Sequence, residues 1–308
     1  MRVLYDSDIE STLTYHGAID VLERLMKSKI FQNVVHPPKS YFPTQKGMMT
    51  FTMGELIDEK VAGFRFSGSP KSTQLTLAMD THTGEFKGMI VGDLIGVVRT
   101  ACINAVAIKH LARKDAHVLG VIGSGFQAKH HALAALEVRD IKRIVVYSRS
   151  EENRQEFVRF LKERTAGKGI EIEALKAVAS VVGESDILIT ASNSRTPLFN
   201  SKMLKKGLHI NNVGPKYKGC AELPLAVYGQ ADILTTDSIT QLYDWKGPGP
   251  VCFEGIIPRN KVLGLENYMV DFERDPDSLT LFCSMGITGS ALALANCVLE
   301  SMNMSVLG

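Results

Sequence analysis

Cysteine is scarce in this chain and shows no pairing pattern. Five cysteines, Cys102, Cys220, Cys252, Cys283 and Cys297, are odd in number and scattered, with no C-x-x-C spacing. That argues against a disulfide framework or a zinc site and for a reducing, cytoplasmic setting. Charge of one sign is also lacking: 35 Lys and Arg stand against 33 Asp and Glu, a net charge of +2, with no block of five or six like charges. Nucleic acid or an anionic membrane held by bulk electrostatics is therefore not expected as a partner, although a local cationic pocket would escape this total. No apolar run approaches the ~20 residues of a membrane span. The start, Met1-Arg2-Val3-Leu4-Tyr5-Asp6, turns polar too early for a signal peptide. Low-complexity tracts, internal repeats and Pro/Gly-rich linkers are missing as well.

What is present is an ordinary globular composition, 45% hydrophobic and 22% charged over 308 residues, long enough for two domains of ~100–200 residues. Residues 12–29 place Ala18, Ile19, Leu22, Leu25 and Met26 on one helical face. Strand-like runs follow at 48–53, 60–67 and 74–80, and Thr83-Gly84 separates the last of these from 88–91, which reads as a hairpin or meander. Residues 100–113 read as a helix. From Ala116 the rhythm becomes strand, helix, strand: strands at 117–122, 143–147, 170–175, 187–191, 209–213 and 233–236, helices at 127–138, 151–164 and 177–183. That alternation predicts a doubly wound parallel sheet. Residues 286–302 are apolar at helical spacing and are expected to pack back onto the N-terminal half.

The run Val118-Leu119-Gly120-Val121-Ile122-Gly123-Ser124-Gly125-Phe126-Gln127-Ala128 passes from a buried strand straight into a helix. Gly123 suits the tight turn, Gly125 lets the backbone approach a pyrophosphate, and Ala128 permits close helix–strand packing. The amides at the helix start then meet the phosphate charge. A glycine turn alone is weak evidence, but this one has the strand–turn–helix–strand context of a dinucleotide site. The second strand ends in Tyr147-Ser148-Arg149-Ser150, with Arg154 one helical turn on. An NAD site usually carries Asp or Glu there; guanidinium and hydroxyl donors suit a 2′-phosphate instead. NADP(H) is thus the expected preference, with NAD(H) open.

The segments Thr83-Gly84-Glu85, Gly92-Asp93-Leu94, Arg99-Thr100-Ala101, Leu111-Ala112-Arg113, the glycine turn through Gln127-Ala128, Gly207-Leu208-His209-Ile210, Val213-Gly214, Glu222-Leu223 and Ser284-Met285-Gly286-Ile287 resemble the ornithine cyclodeaminase / mu-crystallin family over nearly the whole chain. The resemblance implies an α/β fold: a Rossmann domain (114–286) inserted in a discontinuous α+β substrate and dimerisation domain (1–113 and 287–308), with a homodimer formed through the N-terminal sheets. Family activities include cyclodeamination, amino-acid and opine-type dehydrogenation, imino-acid reduction and ligand binding without catalysis. The cofactor set then takes in Thr100, Gly123, Ser124, Gly125, Phe126, Gln127, Ala128, Ser148, Arg149, Ser150, Arg154, Ala191, Ser192, Val213, Gly214, Met285 and Gly286.

Departures from the family pattern shape the chemistry. Lys39, in His36-Pro37-Pro38-Lys39, stands where an arginine usually grips the substrate carboxylate. Arg65 replaces a customary lysine, and Lys216 falls where cyclodeaminases carry an aspartate. A late acidic residue is missing around Gly289-Ser290-Ala291, whereas Arg99 is kept. Deaminative cyclisation needs an acceptor for the attacking amine, which a protonated lysine cannot be. Hydride transfer to an imino acid asks only for orientation and a carboxylate grip. Arg99, Lys39, Arg65 and Met49 are the substrate-binding candidates, and Lys39, Arg65 and Lys216 the catalytic ones, although arginine is a poor proton donor. If these cations converge, a dicarboxylate imine is favoured. The cyclodeaminase and the non-enzymatic NADPH-dependent binding protein stay open as alternatives. Trp245 with Gly247-Pro248-Gly249-Pro250 reads as a rigid loop over a site or a plain connector.

Overall fold

The computed structural model describes residues 2–69, 73–243 and 258–304; Trp245, the 247–250 run and Cys252 lie outside them. The chain divides into two units, one of residues 1–103 with 286–308, the other of 104–285. The first cut lies inside a helix, ten residues before the position 113 expected from the sequence.

The first unit opens with β1 (Arg2–Tyr5), α1 (Asp6–Thr12) and α2 (Tyr15–Ser28). Thr14 caps α2 by accepting the Gly17 amide at 3.1 Å, so the helix expected at 12–29 starts three residues later, and α1 ahead of it was not foreseen. Strands β2 (Val34–Val35), β3 (Ser40–Thr44), β4 (Gly47–Leu56), β5 (Val61–Ser69), β6 (Leu75–Asp80) and β7 (Phe86–Val91) follow. The sheet runs β1-β7-β6-β5-β4-β2, with β3 on the same edge of β4 as β2; only the β1–β7 pairing is parallel. The β6–β7 turn is closed by Asp80, whose carboxylate accepts the amides of His82 and Thr83 and is thereby held below the usual carboxylate range.

Register explains the two faces of this sheet. Gly54, Gly63, Ala78 and Gly88 stand in one row across four strands. A Cβ on Gly63 would collide with Leu292, and one on Gly88 with Leu299, so the C-terminal helix (Ser290–Met304) lies close on this face because the row has almost no side chains. The opposite face presents Met49, Phe51 and Met53 of β4, Phe64 and Phe66 of β5, Leu75 and Leu77 of β6, and Met89 of β7. All of these are apolar, and none is buried.

Helix α3 (Leu94–Leu111) begins two turns before the expected start at residue 100. Its first amides are capped from a distance: Asp6 accepts from Asp93 and Leu94, both at 3.1 Å. A local scan cannot see a cap supplied 88 positions away. At 18 residues α3 is long and apolar enough to cross a membrane, but 78% of it is buried within the protein, as befits a core helix.

In the second unit, β8 (Val118–Ile122), α4 (Phe126–Leu136), β9 (Arg143–Tyr147), α5 (Glu151–Arg164), β10 (Glu171–Ala174), α6 (Val178–Glu184), β11 (Ile187–Thr190) and β12 (His209–Asn212) alternate as expected. A short hairpin, β13 (Lys216–Tyr217) with β14 (Cys220–Ala221), α7 (Leu225–Gln230), β15 (Ile233–Thr236), α8 (Ile239–Tyr243), β16 (Val262–Gly264) and β17 (Thr280–Cys283) complete it; α9 is the C-terminal helix already described. All eight strands of the order β10-β9-β8-β11-β12-β17-β15-β16 are parallel. The connections reverse direction between β8 and β11, and in such sheets ligands bind beyond the strand ends at that point. Neither β17, tucked between β12 and β15, nor β16 was foreseen. Each has four residues or fewer, too short for a periodicity to show.

Candidate functional site

The glycine turn sits at the reversal. Gly123 has φ +117, a conformation open to glycine, and a Cβ there would strike the carbonyl of Ala191 at the end of β11. Its amide donates to Tyr147 O at 2.8 Å, tying the turn to β9. Gly125 is the N-cap of α4, and a Cβ on it would meet nothing within 4 Å. Open space above a helix N-terminus is what an approaching pyrophosphate needs. Ala128 is fully buried, Phe126 is 55% exposed, and Ser124 is half-buried.

At the end of β9, Arg149 is exposed and Ser148 half-buried. Ser150 caps α5, accepting the Asn153 amide at 3.2 Å. Arg154 is buried, donates Nη1 to Ser148 O and lies 5.7 Å from the Tyr147 ring centroid. Arg154 therefore shapes this corner from inside, whereas Arg149 is exposed at the strand end. His131 is buried, its Nδ1 2.8 Å from Gln127 O. His130 packs edge-on to Phe126; burial, with Arg164 and Lys129 adding to it, pushes it down to about 4.

Two loops wall the crevice beyond β11 and β12. Val213 and Gly214 donate their amides to Thr190 O at 2.9 and 3.1 Å. The Ser192 amide and hydroxyl both donate to Glu222 Oε2, at 3.0 and 2.8 Å. Lys216, expected as a proton donor, is only 4% exposed and gives its ammonium to the carbonyls of Val213 and Gly214 at 3.1 and 2.7 Å. Two of its donors therefore hold its own loop. Met285 donates its amide to Asp237 at 2.8 Å.

In the first unit three expected cations do converge. The Pro37 carbonyl accepts the Thr288 hydroxyl at 2.8 Å, fastening the segment of His36 and the two prolines beside residues 286–288. Lys39 Nζ and Arg99 Nη1 then stand 2.8 and 2.9 Å from where a Cβ on Gly286 would be, near enough for one carboxylate to meet both. Gly286, at φ +82, keeps that space open. Arg65 lies across Gly96 of α3, where a Cβ would collide with its guanidinium, and donates to Gln74. Burial first, then the Arg99 charge, push Arg65 down to about 10, while Asp93 acts the other way; it stays cationic at neutral pH. Thr100 turns its hydroxyl onto Gly96 O at 2.8 Å, inside its own helix.

Met49 does not belong with these cations. It shares its face with Phe51 and, across the ladder, with Gly68 and Phe66, whereas Arg65 pairs with Thr52 and Thr76 on the other face. Side chains alternate along a strand, so Met49 lies on the apolar face. Gly54 and Gly289 lie backbone against backbone: a Cβ on Gly54 would be 3.1 Å from the Gly289 Cα. Glu222 was noticed only as part of a motif. Its importance comes from contacts that no spacing rule reveals.

The model of the ornithine cyclodeaminase/mu-crystallin family matches residues 3–305. The chain is 30% identical over 239 residues, 76% of its length and 72% of the relative's, to a delta(1)-pyrroline-2-carboxylate reductase of Bacillus thuringiensis subsp. konkukian. The fold is similar to that of the Thermococcus litoralis delta(1)-pyrroline-2-carboxylate reductase in complex with NADH and L-proline, with TM-score 0.89, 24% identity and 97% of each chain covered. It is equally close to the iminosuccinate reductase of Paracoccus denitrificans in complex with NAD+, with TM-score 0.88, 24% identity and coverage of 99% and 97%.

Proposed function

The chain belongs to the ornithine cyclodeaminase/mu-crystallin family, and from that premise we propose that it is an NAD(P)H-dependent oxidoreductase reducing the C=N bond of a small imino acid, or oxidising the CH–NH bond of the corresponding amino acid. The observation that carries this is the gathering of Lys39, Arg65 and Arg99 around Gly286 and Gly96. Asp93 already acts on Arg65, and a substrate carboxylate beside Lys39 and Arg99 would be held by the same attraction.

The residues of the glycine turn fit a dinucleotide, and a reduced nicotinamide, when bound, supplies the hydride. Arg99 and Lys39 hold the carboxylate of the imino acid. Arg65, across Gly96 and within the field of Arg99, takes a further anionic group, so imines of dicarboxylic acids are the favoured class. The electron pair of the C=N bond passes to nitrogen as the carbon gains hydride; an iminium substrate brings its own proton, which suits a site of arginines and one lysine. Cyclodeamination would need a carboxylate where Lys216 lies, and Glu222 is already occupied by four donors.

Arg149, with the Ser148 hydroxyl, supports a preference for NADP(H) through charge-assisted bonds to a 2′-phosphate. A homodimer is part of the same proposal: the unburied face of Phe51, Phe64, Phe66 and Leu77, rimmed by Phe42 at 60% and Tyr5 at 56% exposure, suits a second copy of the same face. The cytoplasmic setting likewise rests on the scarcity and scatter of the cysteines.

The test is loss of NADPH or NADH absorbance with a panel of delta(1)-pyrroline-2-carboxylate, iminosuccinate, and 2-oxo acids with ammonia. Turnover of iminosuccinate with NADPH above the monocarboxylates is expected. Tight NADPH binding with no turnover of any of them would replace the enzyme by a binding protein, and better turnover of every monocarboxylate would remove the dicarboxylate preference.

A further inference from the structure

The loops beyond β11 and β12 are held by two buried charges that the reaction itself does not call for. Glu222 has no exposure. One of its oxygens accepts the amide and hydroxyl of Ser192; the other accepts the Gly214 amide and the Asn212 side chain, both at 2.8 Å. A Cβ on Gly214 would strike this carboxylate. Lys216 approaches the same loop with opposite charge, through the carbonyls of Val213 and Gly214. Gly214 thus gives its N–H to an anion and its C=O to a cation. Ser192 is next to Ala191, the residue against which Gly123 is pressed, and its amide lies 3.2 Å from a Cβ placed on Gly123. Glu222 is therefore one residue removed from the dinucleotide turn.

Burying a carboxylate and an ammonium carries a desolvation penalty, and apolar side chains would fill the space more cheaply. What charges provide and apolar groups do not is a fixed direction for each peptide they bind. We propose that Glu222 and Lys216 are positioning residues that set the orientation of the Ser192 and Gly214 peptides, and through them the seating of the dinucleotide. The inference rests on the reading of this crevice as a dinucleotide site. Neither residue touches the ligand; each acts through backbone that does.

The experiment compares Glu222→Gln, Lys216→Met and Lys216→Arg with the unaltered protein, by fluorescence titration with NADH and NADPH, by thermal melting, and by the deuterium isotope effect with 4-deuterated cofactor on the best imine of the panel. Glutamine keeps the shape of Glu222 but turns an NH2 against donors. It is expected to weaken dinucleotide binding by about tenfold or more, to lower kcat with the imine KM little changed, and to raise the isotope effect as hydride transfer becomes limiting. Lys216→Met is expected to do the same more mildly. Lys216→Arg, still able to donate to both carbonyls, is expected to restore binding, which a merely space-filling role would not require. If Glu222→Gln does not fold, the two Lys216 variants decide. Variants that melt lower but bind and transfer hydride as the parent does would overturn the proposal. A parent protein that binds neither dinucleotide would overturn the dinucleotide reading first, and the clamp with it.

Discussion

Positive charge is handled in opposite ways in the two units. Lys216 and Arg154 of the second unit are buried and turned onto backbone carbonyls a few residues away; their charge holds loops. In the first unit, Lys39 and Arg99 meet at the space left by Gly286, and Arg65 is close enough to Arg99 to feel its field. Charge that ends on local carbonyls is architecture. Like charges brought together from three segments suit an anion, which is the role proposed for them.

The largest effect is expected where that device is cut. Arg99→Met should lower kcat/KM for the imine about a hundredfold or more, the loss of a charge-assisted carboxylate contact, with melting temperature unchanged in a scanning measurement; a comparable loss of stability would make Arg99 architectural instead. Gly123→Ala comes next. The added methyl meets Ala191 O at a φ of +117, so dinucleotide titration should show about a tenfold loss, while carboxylate binding by the first unit is preserved. Leu77→Glu puts a charge on the apolar sheet face and should turn a dimer into a monomer in analytical ultracentrifugation; an unchanged sedimentation coefficient would count against that face. Arg149→Ser should shift the NADPH-to-NADH ratio of kcat/KM towards NADH by about tenfold.

The smallest effect is on acid stability. His209 is fully buried between Thr280 and Asn211, at 2.8 and 3.0 Å, and burial pushes it down to about 3 from 6.5. Between those values the unfolded chain binds the proton and the folded one does not, so stability is full above about 6.5 and is lost as pH falls towards 3. His209→Asn should flatten the fall of melting temperature over that window; an unchanged slope would show that other groups govern it.

Much of the second unit was legible in the sequence because strand and helix alternate with clear periods, and the glycine turn follows a chemistry of its own. Helix α3 was placed two turns late because Asp6, its cap, is remote in sequence. Residues 40–44 gave no strand signal, since Ser-Tyr-Phe-Pro-Thr alternates poorly. At the substrate side, Lys39, Arg65 and Arg99 were legible as residue types at family positions. Met49 was misplaced because a one-residue step along a strand reverses the face. Lys216 was read from its place in the family pattern, whereas its bonds to the Val213 and Gly214 carbonyls depend on the direction of its last atom.

The most direct test of the contrast between the units is the NADPH dissociation constant measured beside the imine KM in Arg99→Met. KM is expected to rise about tenfold or more with NADPH binding unchanged. An NADPH dissociation constant that rises in step with KM would contradict it, because Arg99 would then support the dinucleotide and not the substrate carboxylate.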